Sequence, residues 1–103
     1  MSKQNYIENY SPEDKKFKTI YNKLKTIAED NYSFEIKVGL RVCDAADMEK
    51  FCIRLRKRVD EERMIFYLLH ELGHMELYFS HEYNNQFKNM IKDLDARRYK
   101  TNA

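Results

Sequence analysis

The sequence predicts an α+β domain in which one helix, an antiparallel β-hairpin and two further helices follow one another. Apolar residues recur at helical spacing up to position 28, at every second position over residues 34–42, and at helical spacing again from position 64. Glycine and proline are scarce, with two and one residues among 103, where average usage would give about seven and about five. We therefore expect short connections and no glycine-rich loop that could bind a phosphate.

Residues 1–10 are predicted to form a polar tail and residues 11–103 a single domain. Ser11 and Pro12 predict the start of the first helix, because serine caps helix N-termini and proline is tolerated at the first helical position. The helix is expected to end near Asn31. Its apolar face consists of Phe17, Ile20, Tyr21, Leu24, Ile27 and Ala28.

The alternation of apolar and polar residues over 34–42, and again from residue 51, predicts two half-buried strands. Residues 44–47, Asp-Ala-Ala-Asp, are expected to form the turn between them. The two strands agree in phase as an antiparallel hairpin. Two cysteines, Cys43 and Cys52, fall on the polar side of this pattern.

A long apolar segment over residues 64–79 predicts a helix that is buried on nearly all sides. Asp60 precedes it and is expected to act as its N-cap. A break near residues 80–83 leads into a last helix. The apolar face of that helix consists of Phe87, Met90, Ile91 and Leu94.

The central helix carries His70-Glu71-Leu72-Gly73-His74, the H-E-x-x-H pattern. Residues four apart lie on one helical face, so both imidazoles can bind a single metal ion. Catalytic zinc commonly takes three protein ligands and a water molecule. Glu71 is offset from His70 by about 100° around the helix, where its carboxylate can accept a proton from that water. On a buried helix, these polar side chains would also need such partners.

The third metal ligand distinguishes the classes of zinc peptidase. The metzincin pattern requires glycine at position 77 and histidine at position 80, where this sequence has Leu77 and Ser80. A carboxylate from a following segment is the alternative, with Glu82, Asp93 and Asp95 as candidates. We favour Asp95, because it lies at the edge of the apolar face of the last helix.

These features resemble the ImmA/IrrE type of small zinc metallopeptidase, one of the minimal gluzincins. Members of that group place a helix and a short sheet before a His-Glu-Leu-Gly-His helix, and a further helix supplies a glutamate in a Glu-Ala-x-x-Phe context. Residues 95–99 resemble this element, with Asp95 in place of glutamate and Tyr99 in place of phenylalanine. His81 resembles a histidine that often follows the motif. The resemblance covers about residues 34–99 and implies a zincin-like fold.

The resemblance implies a zinc-dependent endopeptidase that acts on a protein or peptide partner, with a regulator as one such substrate. His70, His74 and Asp95 would bind Zn²⁺, and Glu71 would be the general base. The substrate backbone would pair with an exposed strand edge, for which residues 51–58 are expected. Three side chains are candidates for stabilising the oxyanion of the tetrahedral intermediate: Tyr99, Tyr78 and His81.

The alternative function is a non-catalytic binding module that keeps the peptidase scaffold. An intact Glu71 favours the enzyme, because a scaffold has no physical need for that carboxylate. The net charge of +2 gives no reason to expect a nucleic-acid partner, and the basic residues 54–58 are interpreted as a charged strand edge.

The sequence predicts a cytoplasmic protein without a membrane partner, because it lacks a signal-peptide core and a long apolar segment. Two cysteines do not form a disulfide framework. Gly73 is expected to leave room for a close neighbour, either the hairpin or the last helix, since glycine inside a helix costs about 1 kcal/mol relative to alanine.

Overall fold

The computed structural model describes residues 6–79 and 86–101, and the side chains of residues 6–79 and 87–94. Over these residues, three helices and a three-stranded sheet confirm the α+β class. Within this part of the chain no helix has both the length and the apolar character to cross a lipid bilayer. The elements in chain order are α1 (Lys15–Tyr32), β1 (Glu35–Gly39), β2 (Ala45–Asp47), β3 (Cys52–Arg56), α2 (Glu61–Phe79) and α3 (Gln86–Thr101).

The first helix begins later than predicted, and the expected cap at Ser11 is wrong. Asp14 caps α1, with its Oδ1 accepting a hydrogen bond from the backbone N–H of Lys16 at 2.9 Å. The carboxylate of Glu61, at the start of α2, accepts the backbone N–H groups of Glu13 and Asp14 at 2.8 and 3.0 Å. A contact with α2 therefore fixes where the chain turns into α1.

The sheet is mixed, with the strand order β1-β3-β2. Strand β1 runs parallel to β3, with Glu35 opposite Cys52, and β2 runs antiparallel to β3, with Ala46 opposite Ile53. The predicted antiparallel hairpin between the two alternating segments is therefore wrong. Residues 44–47, predicted as a turn, contain β2 instead.

A period of two tells which side chains share a face, but it is the same for parallel and antiparallel neighbours. Strand β2 lies between β1 and β3 in the chain and runs opposite to β3, so the chain reverses direction twice and β1 and β3 become parallel. The sequence does not reveal β2, because its three residues carry no clear alternation. The tight turn lies after β2, where Asp47 Oδ1 accepts the backbone N–H groups of Glu49 and Lys50 at 3.1 and 3.0 Å. Phe51 completes the turn with a φ of 53°.

The core lies between the sheet and the helices α1 and α2, and α3 packs along α2. Burial of each large aliphatic side chain contributes about 1.5–3 kcal/mol, so α2 is anchored along its length. Its buried apolar side chains are Met64, Ile65, Leu68, Leu69, Leu72 and Met75.

Part of the predicted tail lies against the outer edge of β1. The backbone N–H of Ile7 donates to the carbonyl of Val38 at 2.8 Å, and Tyr6 forms an antiparallel bridge with Gly39. These contacts cover backbone groups of β1 that would otherwise form an open sheet edge.

Candidate metal centre

His70 and His74 come together on one face of α2. Their Nε2 atoms lie 3.1 Å apart, and their rings are nearly perpendicular, at 87°, with centroids 4.6 Å apart. Both side chains are exposed. The two nitrogens therefore converge on a common point outside the helix.

This convergence fits a shared metal ion. Two nitrogens bound tetrahedrally to zinc at about 2.0–2.1 Å would lie roughly 3.4 Å apart. The observed 3.1 Å between the Nε2 atoms differs from that separation by only a few tenths of an ångström. The residues present thus suit a divalent ion that accepts imidazole nitrogen.

The composition of α2 predicts a helix that is buried on nearly all sides, and this prediction is wrong. Its buried apolar residues face the core, whereas His70 and His74 are solvent-exposed. The expectation that buried histidines need partners is therefore wrong for these two. Because the opposite face of α2 packs into the core, the backbone that carries His70 and His74 is held in place.

Glu71 follows His70 by about 100° around the helix axis and is half-buried. Its side chain is therefore neither enclosed in the core nor fully exposed, and it is not among the residues that line the cavity beside the histidine pair.

No third His, Cys, Asp or Glu joins the pair among the side chains that the structure describes. Asp93, one of the alternatives, lies on the exposed part of α3 and lines a separate cavity of about 280 Å³ with Ile65 and Leu69. Glu82 and His81 lie outside the described residues. The side chains of Asp95 and Tyr99 also lie outside them, although both positions belong to α3.

The helical face of α3 to which position 95 belongs follows from the residues that precede it. Lys88 and Ile91 line the same cavity as the histidine pair, and position 95 follows Ile91 by four residues on the same helical face. The backbone of α3 therefore brings position 95 to the side of the helix that adjoins the pair.

Tyr78, on α2, is 67% exposed and its ring packs edge-on against Phe79.

Glu76 is a site residue that sequence reasoning missed. Its side chain is only 2% exposed, and Oε1 accepts the backbone N–H of Phe87 at 3.3 Å in the first turn of α3. Its other carboxylate oxygen has no hydrogen-bond partner among the described residues. Burial, and then the nearby charge of Glu76, raise the pKa of Tyr32. The available signal was one acidic residue within the apolar segment 75–79.

The prediction that Gly73 makes room for a close neighbour is wrong. Among the residues that the structure describes, none beyond its own helix backbone has an atom within 4 Å of a Cβ built at Gly73, so no described neighbour occupies the space of the missing side chain. That space belongs to a cavity of about 170 Å³ between α2 and α3. Its lining consists of both histidines together with Gly73, Glu76, Leu77, Lys88 and Ile91.

The strand predicted to offer its edge, over residues 51–58, lies at the centre of the sheet. Strand β3 pairs with β1 on one side and with β2 on the other, so its backbone groups are largely engaged. The outer strand that packs against α2 is β2. A peptide backbone beside α2 would therefore meet residues Ala45–Asp47.

Two of the basic residues over 54–58, Arg54 and Arg58, form ion pairs. Arg54 lies 3.3 Å from Asp47, and Arg58 lies 2.5 Å from Asp44 and 4.2 Å above the ring of Tyr67. These contacts favour a structural role for the basic residues over 54–58.

The two cysteines differ in burial. Cys43 is exposed, but Cys52 is buried and does not lie on a polar face as predicted.

In a comparison with known protein families, residues 12–103 match the model of a peptidase family described as the IrrE N-terminal-like domain. Comparison with curated proteins found no match, and comparison with solved structures found none.

Proposed function

Because the chain belongs to the IrrE N-terminal-like domain family of peptidases, we propose that it is a zinc-dependent endopeptidase that cleaves a protein partner. The observation that carries this proposal is the 3.1 Å approach of the two Nε2 atoms of His70 and His74. Two imidazoles on an anchored helix, with a carboxylate at the next position, supply two metal ligands and a general base for metal-assisted peptide hydrolysis.

His70, His74 and Asp95 are proposed to hold the metal ion. When bound, Zn²⁺ supplies Lewis acidity: it polarises the scissile carbonyl and lowers the pKa of a water molecule to about 7. Position 95 is supported as the third ligand by the helical face that it shares with Ile91, whereas Asp93 lines a different cavity.

Glu71 is proposed as the general base and then the general acid. Its carboxylate accepts the proton that the attacking water loses, and it returns that proton to the nitrogen of the leaving amine. Its half-buried position on α2 limits its motion, because the neighbouring residues Leu69 and Leu72 are fixed in the core.

The negative charge that develops on the carbonyl oxygen needs a hydrogen-bond donor. Tyr99, Tyr78 and His81 remain the candidates for this role. Tyr78 follows His74 by four residues, and so shares its helical face.

The substrate is proposed to bind as an extended strand along β2. The outer edge of Ala45–Asp47 has backbone groups available for pairing, and β2 packs against the helix that carries the histidines. Backbone pairing recognises any extended peptide, so side-chain contacts must supply the specificity.

The partner is proposed to be a protein and not a nucleic acid, because Arg54 and Arg58 are already paired with aspartates. The proposed location is the cytoplasm. Cys43 and Cys52 are both free thiols, which suits a reducing compartment.

The test compares the wild-type protein with Glu71→Gln, a variant of nearly equal size. Bound zinc is measured by elemental analysis, and cleavage is measured by mass spectrometry on a mixed peptide pool. We expect both proteins to retain zinc and only the wild type to cleave. Stoichiometric zinc without cleavage by the wild type of any peptide or protein offered would instead favour a binding module on a peptidase scaffold.

A further inference from the structure

A cavity of about 400 Å³ lies between α1, β1 and residues 6–10. It shares no lining residue with the cavity beside the histidine pair, and its volume falls in the range of about 300–1,000 Å³ that ligand sites have. Tyr21, Lys25 and Glu29 line it from α1, where their spacing of four residues places them on one face. Residues 35–38 line it from β1. The cavity is therefore separate from the candidate metal centre.

The wall formed by β1 is a strand edge with free backbone groups. The backbone N–H of Glu35 and the carbonyl of Gly39 both bond to the β3 side. The backbone groups of successive residues in a strand point to alternate sides, so Ile36 and Val38 direct theirs to the cavity. The carbonyl of Val38 accepts the N–H of Ile7. Among the described residues, no backbone group pairs with the N–H and carbonyl of Ile36 or with the N–H of Val38.

These free groups suit an extended chain that ends opposite Val38. A segment parallel to β1 can accept the N–H of Ile36, donate to its carbonyl, and then accept the N–H of Val38. The next bond along would need the carbonyl of Val38, which Ile7 already occupies. The ladder therefore stops at the residue whose carbonyl group meets the N–H of Val38. A chain that ends there presents its terminal carboxylate to this N–H.

The side chains that line the cavity include donors suited to a carboxylate. Lys25 and Lys37 are half-buried, and neither forms an ion pair with a described residue. Tyr21 is 3% exposed, and no hydrogen bond joins its hydroxyl to a described residue. Burial, and then the neighbouring Tyr10 and Glu29, raise the pKa of Tyr21 to about 12, so its hydroxyl keeps its proton at neutral pH. Ammonium groups and a phenol O–H form their strongest hydrogen bonds with an anion.

The direction of the bound chain follows from the same charges. An antiparallel chain would bring its N-terminal ammonium group to Lys25 and Lys37, where like charges repel, whereas a parallel chain brings its carboxylate. Glu29, near the end of α1, and Glu35, at the start of β1, are exposed on either side of the connection between these elements. They favour a basic side chain in the part of the ligand that enters first along β1. The third acid, Glu8, is exposed and screened by water.

We propose that this cavity is a docking site for the C-terminal tail of a protein partner, bound as an extended strand parallel to β1 with its carboxylate at Lys25, Lys37 and the N–H of Val38. The proposal goes beyond the proposed peptidase function and does not depend on it, because neither histidine takes part. Strands β1 and β2 form opposite edges of the sheet. A partner docked by its tail therefore leaves the outer edge of β2 free.

The first experiment asks whether binding requires a free C-terminus. An array of octapeptides that vary at their last five positions is probed with the full chain carrying Glu71→Gln, with and without zinc. The best binders are then labelled at their N-termini and titrated by fluorescence anisotropy, both as free acids and as C-terminal amides. We expect each free acid to bind about tenfold or more tightly than its amide, and to carry lysine or arginine before its last three residues. Equal affinities, an acidic residue at that position, or no binding by any peptide would overturn the proposal.

Three substitutions test the donors that line the cavity. Lys25→Gln and Lys37→Gln should each weaken binding of the free acid by about fivefold or more, and Tyr21→Phe, which removes only a hydroxyl, by about threefold or more. The double lysine variant should no longer distinguish the acid from the amide. The matched control is Lys23→Gln, because Lys23 lies on the same helix but lines a different cavity. Unchanged affinity in all the cavity variants, each checked for folding by its Tm, would contradict the assignment.

A further variant separates this inference from the proposed function. His70→Ala lies outside the docking site and should leave the affinity for the peptides unchanged. Peptide cleavage by a wild type that does not bind the free acids more tightly than the amides would refute the docking site and leave the peptidase standing. Tail binding by a wild type that cleaves no peptide or protein offered would support the docking site and refute the peptidase.

Discussion

The buried carboxylate of Glu76 joins α2 to α3, with its Oε1 3.3 Å from the backbone nitrogen of Phe87. A carboxylate at this point satisfies an N–H group of the first turn of α3 and also opposes the positive end of its helix dipole. Glu76 lies two residues beyond His74 on α2. The same residue therefore fixes the start of α3 relative to the histidine pair.

Replacement of Glu76 should loosen α3. We expect Glu76→Ala to lower the free energy of unfolding by about 1–3 kcal/mol, because it removes a buried acceptor. Glu76→Gln keeps an acceptor oxygen and should lose less. Urea denaturation followed by circular dichroism measures both. Equal stability of Glu76→Ala and the wild type would show that the contact with Phe87 does not hold α3.

Zinc should stabilise the folded protein through the histidine pair. A ligand present at 100 times its dissociation constant adds about 2.7 kcal/mol to the free energy of unfolding, so the Tm should rise when zinc is added to metal-free protein. His70→Ala and His74→Ala should each abolish most of this rise. A rise that persists in both variants would place the zinc elsewhere in the molecule.

The choice of third ligand can be tested with two neighbouring aspartates. Asp95→Ala should weaken zinc binding by more than about tenfold, because loss of a group that merely supports a ligand already costs about 10–100-fold. Asp93→Ala is the matched control, since Asp93 lines a different cavity and should leave the affinity unchanged. Competition with a chromogenic chelator measures both affinities. The reverse result would assign the ligand to Asp93.

The β2–β3 turn should lose stability in acid. The backbone N–H of Lys50, and then the side chain of Arg54, hold the pKa of Asp47 below its ordinary value of 3.8. Because the folded-state pKa is the lower one, ionised Asp47 stabilises the fold above the unfolded-state pKa, and this contribution disappears as the pH falls through the folded-state pKa.

We therefore expect Asp47→Asn to be less stable than the wild type at about pH 6, with the difference shrinking at about pH 3. Urea denaturation at the two pH values measures it. Glu49→Gln, an exposed substitution in the same turn, is the control and should show a smaller change. A difference between wild type and Asp47→Asn that grows in acid would contradict the assignment.

Much of the helical part of the fold could be predicted from the sequence, because helix signals are local. The sequence predicts Asp60 as the N-cap of the second helix, and its Oδ1 does accept the backbone N–H of Arg63 at 3.2 Å. The sequence does not predict the start of α1, because the N-cap Asp14 is supported by the distant Glu61. A contact between residues so far apart in sequence cannot be predicted from the local pattern of apolar and polar residues.

The sequence by itself determined the histidine pair. Positions 70 and 74 must share a face of any α-helix with 3.6 residues per turn, and the apolar residues around them ensured that the helix would form. That spacing allows their Nε2 atoms to approach to 3.1 Å. The family match over residues 12–103 agrees with the resemblance carried by the same motif.

Only the tertiary structure decided how the rest is arranged around the pair. Strand alternation does not encode pairing direction, so the parallel β1–β3 ladder and the outer position of β2 followed from packing. The burial of Glu76 and the open space at Gly73 depend equally on where α3 lies against α2. A helix period is a property of neighbouring residues, whereas a cavity is a property of two surfaces that meet only once the chain has folded.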